Sequence, residues 1–429
     1  MASGTQASTT AMHGRWGQLV LGVIAMMAIS SPQYVWTLFV KPLQTATGGS
    51  LAAIQVTFSI LIVLQTWLSP LQGFLVDRIG PRLLITIGAA LSGLGWILSA
   101  YVSSVTMLYL TYGLFCGVGT GIVYIGIVGL MVKWFPDMRG FATGMVAAGY
   151  GFGAILTTFP IDGMLRSSGY QQTLIVFGII LGAVGMLAGW QLRTPPAGAA
   201  LPAAPTRVAN SAETSPADML RTPVFWLLFV MMTMMSTGGL MVISQFAAFS
   251  RAFGVADVVV LGFAALPLAL TVDRITNGLT RPFFGWVSDR IGRENTMGIA
   301  FLLEAAAIFA LLYFRDDALV FVIMSGVVFF GWGEIFSLFP STLTDTFGTR
   351  NATTNYGFLY MAQGVGSVLG GPVAALIYAA AGSWLPVFAV VIVMDALTGI
   401  LALAVLKPMR RNWLLSAGAM PRAATASAD

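Results

Sequence analysis

Gly73-Phe74-Leu75-Val76-Asp77-Arg78-Ile79-Gly80-Pro81-Arg82 and Gly285-Trp286-Val287-Ser288-Asp289-Arg290-Ile291-Gly292-Arg293-Glu294 are one segment written twice. Asp77 to Asp289 is a shift of 212 positions in a chain of 429, about half its length. An internal repeat on that scale is read before any single residue. Each copy closes a long apolar run and opens the next. The chain as a whole has 57% hydrophobic and only 9% charged residues, with a mean hydropathy of +0.85. A soluble protein carries about 25% charged residues, so this chain lacks the polar surface to face water. It reads as an all-α polytopic membrane protein.

Loop signals divide the chain into twelve apolar segments. Six lie at about 17–40, 51–76, 83–103, 106–131, 139–165 and 171–192. Six more lie at about 222–248, 257–285, 295–314, 318–343, 350–381 and 384–406. The runs are continuous, as in Phe177 to Trp190, which excludes the alternating ten-residue segments of a membrane β-barrel. The domains expected are a tail over 1–16, a six-helix bundle over 17–192, a linker over 193–221, a second bundle over 222–406 and a tail over 407–429. The linker is rich in Pro, Ala, Thr and Ser and reads as flexible, as does the chain from Met409 to Asp429. No cleavable signal pattern precedes the first span.

Basic residues set the orientation. With an even number of spans, both termini and the linker share a side, which collects fifteen of the 21 Lys and Arg residues. The other side has only Lys41, Arg166, Arg251 and Arg315. That asymmetry places the termini in the cytoplasm, in a plasma or bacterial inner membrane. Two parallel six-helix halves with cytoplasmic ends are a transporter architecture, expected here to enclose a central cavity and to work as a monomer.

The repeated loop has intelligible chemistry. Gly73 and Gly285 permit close helix packing, and Gly80 and Gly292 permit a tight turn. Asp77 and Asp289 can cap a neighbouring helix N-terminus, and the adjacent Arg78 and Arg290 can pair with them. Contacts of this kind hold two halves in one state and break in another, so these six residues are candidate gating groups. Taken singly, each copy could be ordinary loop charge; the two in register argue for function.

These residues resemble the major facilitator superfamily. A closer resemblance, to the oxalate:formate antiporter family, is carried by Ser31-Pro32-Gln33-Tyr34-Val35-Trp36-Thr37, Gly121-Ile122-Val123-Tyr124 and Lys133-Trp134-Phe135-Pro136-Asp137-Met138-Arg139-Gly140. Ala147-Ala148-Gly149-Tyr150-Gly151, Asn277 to Gly285, Trp332-Gly333 and Asn355-Tyr356-Gly357-Phe358 continue it, so it covers nearly all twelve spans. Pro81 stands where the superfamily usually has Arg, so a weaker charge network is expected in the first loop.

Six ionisable residues within apolar runs stand out: Asp273, Arg274, Arg281, Glu304, Glu334 and Asp395. A charge in the bilayer core costs about 3 kcal/mol or more and is a functional candidate by default. At 100° per residue, Arg274 and Arg281 lie within about 20° of one face, with Asn277 on it too. A polar stripe on span eight is expected. A guanidinium matches a carboxylate in two-point geometry, and the resemblance gives an Arg at position 281 the substrate carboxylate. The competing reading of Arg281 is a structural partner for Glu334 or Asp273. Asp273 is expected to be held ionised by Arg274. Glu304 and Asp395 read as snorkelling or interhelical residues.

The resemblance also implies a Lys on span eleven, where this chain has Gln363. Two cations can neutralise a dicarboxylate in a dry cavity; one leaves a charge uncompensated. Glu334 adds negative charge where the family pattern has Gly, Phe336 replaces Tyr, and Tyr360 replaces Trp. A monocarboxylate, or an acid with its proton, fits this balance better than oxalate. Gln33, Tyr34, Tyr124, Tyr150, Trp332, Phe336, Tyr360 and Gln363 are the further candidate substrate contacts. Trp36 is a possible member of the same aromatic cage, although helix packing explains any single aromatic as well. Glu334, Asp273 and Arg274 are the coupling candidates.

With one cysteine, Cys116, and one histidine, His13, no metal cluster, disulfide or histidine relay is expected. No phosphate-cradling loop, nucleophile–base arrangement or basic stripe points to a pump, an enzyme or nucleic-acid binding. The expected protein is a cofactor-free carrier of small carboxylates in the lipid bilayer, an exchanger or a proton symporter. The alternatives are an oxalate:formate-type antiporter and an anion sensor without flux. A sensor would usually carry an appended soluble domain, for which neither tail nor linker has the length.

Overall fold

The computed structural model describes residues 2–196, 198–199, 201–202 and 213–417, except the side chains of residues 2–13 and 52. It is almost wholly helical. Among the described residues eight helices are long and apolar enough to cross a membrane, or ten if each of two bent pairs is one span. The helix Arg139–Gln191 breaks at Gly169 (φ 78°, ψ 171°) and so supplies two of the twelve spans. Ala265–Ile291, 27 residues long, supplies another and carries Asp273, Arg274 and Arg281 among its apolar residues.

The chain forms two compact units. The first comprises residues 1–136, 145–203 and 349–361. Its helices start where the sequence offers caps: the side chain of Ser50 accepts from the Ala53 amide (3.2 Å) and that of Ser104 from the Met107 amide (3.3 Å). Ala53–Trp67 and Ser69–Ile79 meet at a bend of 50°, and Gly14–Tyr34 and Trp36–Thr47 at one of 48°, each pair together long and apolar enough for one span. An aromatic core of Trp36, Phe39, Trp96 and Tyr112 fills one end. Trp36 thus belongs to packing, with its indole N–H on Gln55 (3.2 Å), and not to a substrate cage.

The second unit comprises residues 137–144, 204–348 and 362–429. Thr222 caps Pro223–Ala252, and Asp317 caps Ala318–Trp332 through the Leu319 and Val320 amides. Residues expected to open span eight instead form a hairpin, Val259–Val260 against Phe263–Ala264. Leu261 (φ 51°) and Gly262 (φ 86°) make the two-residue turn with both φ positive that suits such a hairpin. The tenth span breaks between Ala318–Trp332 and Ile335–Phe347, at Gly333 and Glu334.

The connecting segments are more ordered than their composition suggests. Trp134 Nε1 donates to the Arg193 carbonyl (2.7 Å), and the Thr214 amide donates to the Phe347 carbonyl (2.9 Å), so both ends of the linker are pinned. Residues 203–212, its centre, lie outside the described residues. The tail expected to be mobile begins as a helix, Lys407–Ser416, tied by Arg410 to Glu294 (2.6 Å) and Thr346 (2.7 Å); residues 418–429 lie outside the described residues. The first helix reaches back to Ala2, into the expected N-terminal tail.

Candidate functional site

The repeated loops fold alike. Gly80 (φ 107°, ψ 149°) and Gly292 (φ 95°, ψ 154°) take the same left-handed turn, which a side chain would strain. A Cβ at Gly73 would stand 2.5 Å from the Thr353 carbonyl oxygen, and one at Gly285 would strike the Gly140 carbonyl. Those close approaches set each Asp on a helix N-terminus. Asp77 Oδ2 accepts from the Thr354 amide and hydroxyl, both at 2.8 Å. Asp289 accepts from the Gly140 and Phe141 amides at 3.0 and 2.9 Å. Orphan amides and the helix dipole both favour a carboxylate there.

The cations are not the adjacent arginines. Arg78 and Arg290 lie over the rings of Phe74 and Trp286, because neighbours on a helix point about 100° apart. Asp289 pairs instead with Arg293, one turn on (2.6 Å), and Asp77 with Lys133 (3.0 Å). Pro81 holds the place equivalent to Arg293, and Lys133 of span four fills the charge it lacks. The first loop is therefore not left without a cation. The second loop extends further: buried Asp345 accepts from Arg293 Nε (2.8 Å) and Arg139 Nη1 (2.6 Å).

In the first unit the tyrosines converge. The Tyr124 ring stacks on Tyr360 (5.0 Å) and meets Tyr150 edge-on (5.3 Å); Tyr34 lies 5.5 Å from Tyr150. Tyr150 donates to Gln33 Oε1 (2.6 Å), and Gln65 Nε2 donates to the Tyr360 hydroxyl (3.3 Å). Tyr124, Tyr150, Tyr360 and Gln65 are buried. Gln65 is a residue the sequence reading missed; its signal was an amide inside the apolar run Ile60 to Trp67.

In the second unit Arg281 is only 2% exposed. Its Nη2 donates to Asn277 Oδ1 (2.7 Å), and its guanidinium carbon lies 4.5 Å from the centre of the Phe336 ring. Gly144 packs against its backbone carbonyl. Phe336 meets Trp332 edge-on (5.7 Å), and the Trp332 indole N–H donates to the Met235 carbonyl (2.9 Å). Gln363 is half-buried, and its Oε1 has no hydrogen-bond partner.

Two expectations about the buried charges fail, and of the two readings given for Glu304 and Asp395 the interhelical one holds. Arg274 is exposed and makes no ion pair with Asp273 among the described residues. Seven residues are about 10 Å of helix rise, so a shared face does not mean shared surroundings. Glu334 is fully buried, but neither of its oxygens has a hydrogen-bond partner, so no Glu334–Arg281 pair is formed. Glu304 and Asp395 do not snorkel: both are mid-helix and wholly inaccessible. No group of three His, Cys, Asp or Glu among the described residues could hold a metal ion.

The sequence profile of the Major Facilitator Superfamily matches residues 19–273 and 263–422. This chain belongs to that superfamily. It is 35% identical to the oxalate:formate antiporter of Oxalobacter formigenes over 409 residues, 95% of each chain. It is 24% identical to monocarboxylate transporter 13 of Bos taurus, over 77% of this chain and 75% of that one. Its fold matches the proton:xylose symporter XylE with a TM-score of 0.69 at 14% identity, over 93% of this chain and 99% of that one. The superfamily's relatives here are membrane transporters and not enzymes, and this facilitator is a multi-pass membrane transporter of small molecules.

Proposed function

We propose that this facilitator carries small carboxylates by alternating access, preferring monocarboxylates to oxalate, with both termini in the cytoplasm. The observation that carries the reading is the setting of Arg281. It is buried and oriented by Asn277 and Phe336, while Gln363 stands where the resembled family has its second cation. Arg281 takes the substrate carboxylate; Gln363 offers neutral hydrogen bonds only. Tyr34, Tyr124, Tyr150, Tyr360 and Gln33 are the contacts we assign to the first unit, and Trp332 and Phe336 those of the second. Glu334, buried between Ala318–Trp332 and Ile335–Phe347, is the group we assign to take a proton when a bound anion neutralises Arg281.

Competition by a panel of mono- and dicarboxylates against one labelled acid in proteoliposomes tests the substrate class. A monocarboxylate competing best supports the reading. Oxalate competing best replaces it with oxalate:formate-type exchange, the reading that 35% identity favours. Binding without flux would mean a sensor. Accumulation driven by a pH gradient that survives in Glu334→Gln removes Glu334 as the proton site.

A further inference from the structure

Gly14 and Gln18 open the first span at one end of the first unit, where Pro81–Ser99 starts and Gly117–Trp134 and Arg139–Gln191 finish. Among them lies a cavity of about 480 Å³ that carboxylate transport does not use. Its walls include Gln18, Trp134, Trp190 and two cations, Arg82 and Arg193. Small-ligand sites occupy roughly 300–1,000 Å³. The walls are held in place by their own bonds. Gln18 Oε1 accepts from the Arg193 amide (2.7 Å), and Gln18 Nε2 donates to the Gln191 carbonyl (3.3 Å). Trp134 Nε1 fixes the Arg193 carbonyl from the other side. The Arg82 guanidinium carbon lies 4.0 Å from the centre of the Trp190 ring, a contact that positions the charge without neutralising it.

No acid answers the two cations. Arg82 Nε is shut off from solvent without an acceptor, and neither arginine forms an ion pair among the described residues. None of the lining residues is acidic. The acids of this unit are Asp77 and Asp162, and each already has a cation, Lys133 and Arg166. Loop arginines that merely set orientation need only water around them. Here one is stacked and the other held by its backbone, and both line one cavity. Guanidinium donors match phosphate oxygens in two-point geometry. Trp190, 54% exposed and next to last in its helix, stands where tryptophans mark the headgroup level of a bilayer. Basic pockets between spans at that level take phosphate headgroups. A water's share of liquid volume is about 30 Å³, so a bare ion would leave most of the cavity empty. The phosphate therefore comes with an organic body.

We infer that this cavity binds an organic phosphate ester, its phosphate held between Arg82 and Arg193. The bilayer supplies that group in anionic lipids, and water supplies it in soluble phosphate esters. Once bound, it ties the entry of span one, the start of Pro81–Ser99 and the first residues of the linker together. The site shares no residue with the carboxylate contacts assigned above and does not rest on them.

The melting temperature of the full-length protein in neutral detergent reads binding, because a ligand of the folded state raises it. Dioleoylphosphatidylglycerol is expected to raise it saturably; dioleoylphosphatidylcholine, whose ammonium group meets the same cations, is expected not to. Glycerol phosphate separates the sources. Stabilisation by it assigns the site to soluble esters, and its failure beside phosphatidylglycerol's success assigns the site to lipid. Apparent affinity is expected to fall roughly tenfold or more in Arg82→Gln and in Arg193→Gln, each of which loses charge-assisted bonds. Arg221→Gln removes an equal charge from the exposed other end of the linker sequence and is expected to bind as wild type does. No stabilisation by either phosphate ester, or stabilisation equal in wild type and Arg193→Gln, overturns the site. An equal loss in Arg221→Gln overturns it too, since general surface charge would then suffice. Oxalate stabilising in place of the esters, with the same dependence on Arg82 and Arg193, overturns the assignment to phosphate. Should Arg82→Gln not fold, exposed Arg193 decides alone.

Discussion

Lys133 stands to Asp77 as Arg293 stands to Asp289, at 3.0 and 2.6 Å, although one cation comes from span four and the other from the turn after Asp289. The two copies of the loop thus keep one charge arrangement through different residues. The shared requirement is a carboxylate fixed on helix N-terminal amides with a cation beside it.

That equivalence predicts a transplant. Lys133→Ala is expected to lower the melting temperature, and Asp77→Asn to cost about 1 kcal/mol by weakening the cap on Thr354. Arg78→Ala, whose side chain is exposed beside Phe74, is expected to be nearly silent. Pro81→Arg in the Lys133→Ala background is expected to recover stability. Thermal unfolding in detergent reads all four, and no recovery would refute the equivalence.

Asp345 is the keystone of the second network. It is buried between Arg139 and Arg293, so Asp345→Asn leaves two buried cations short of charge. Breaking such a pair costs about 3–5 kcal/mol. The melting temperature is expected to fall further than for any single change in the first loop, where Lys133 is partly exposed. A smaller shift than that of Asp77→Asn would contradict it.

Arg281→Lys is expected to express and fold normally and to lose uptake by roughly tenfold or more. Hydrogen bonds to charged groups contribute about 1.5–3 kcal/mol each, and Lys cannot reproduce the two-point geometry. Initial rates of labelled carboxylate uptake, normalised to inserted protein, decide this. Unaltered uptake would remove Arg281 from the substrate site.

Gln363→Lys is expected to shift preference toward dicarboxylates. The change adds a second cation in the unit that holds Arg281 and removes an amide oxygen that now has no partner. The ratio of oxalate to monocarboxylate inhibition constants measures the shift; an unchanged ratio would show that position 363 does not count charge.

The sequence alone settled the fold class, the twelve spans, the repeat and its glycines, because these follow from local composition and spacing. Hydropathy marks a span without reference to its neighbours, and a positive-φ turn after Asp77 and Asp289 needs only Gly80 and Gly292. The prominence of Arg281, Asn277 and Phe336 was also legible, since charge or motif marks each residue by itself. What the tertiary structure decided was partnership. Lys133 lies 56 positions from Asp77, and Arg139 lies 206 from Asp345, so no periodicity links them. Span eight's arginines share a helical face, yet Arg281 is buried and Arg274 exposed, because burial depends on what packs at each height. Glu304, Glu334 and Asp395 read in sequence as charges interrupting apolar runs; only the packing of the helices shows that all three are wholly buried.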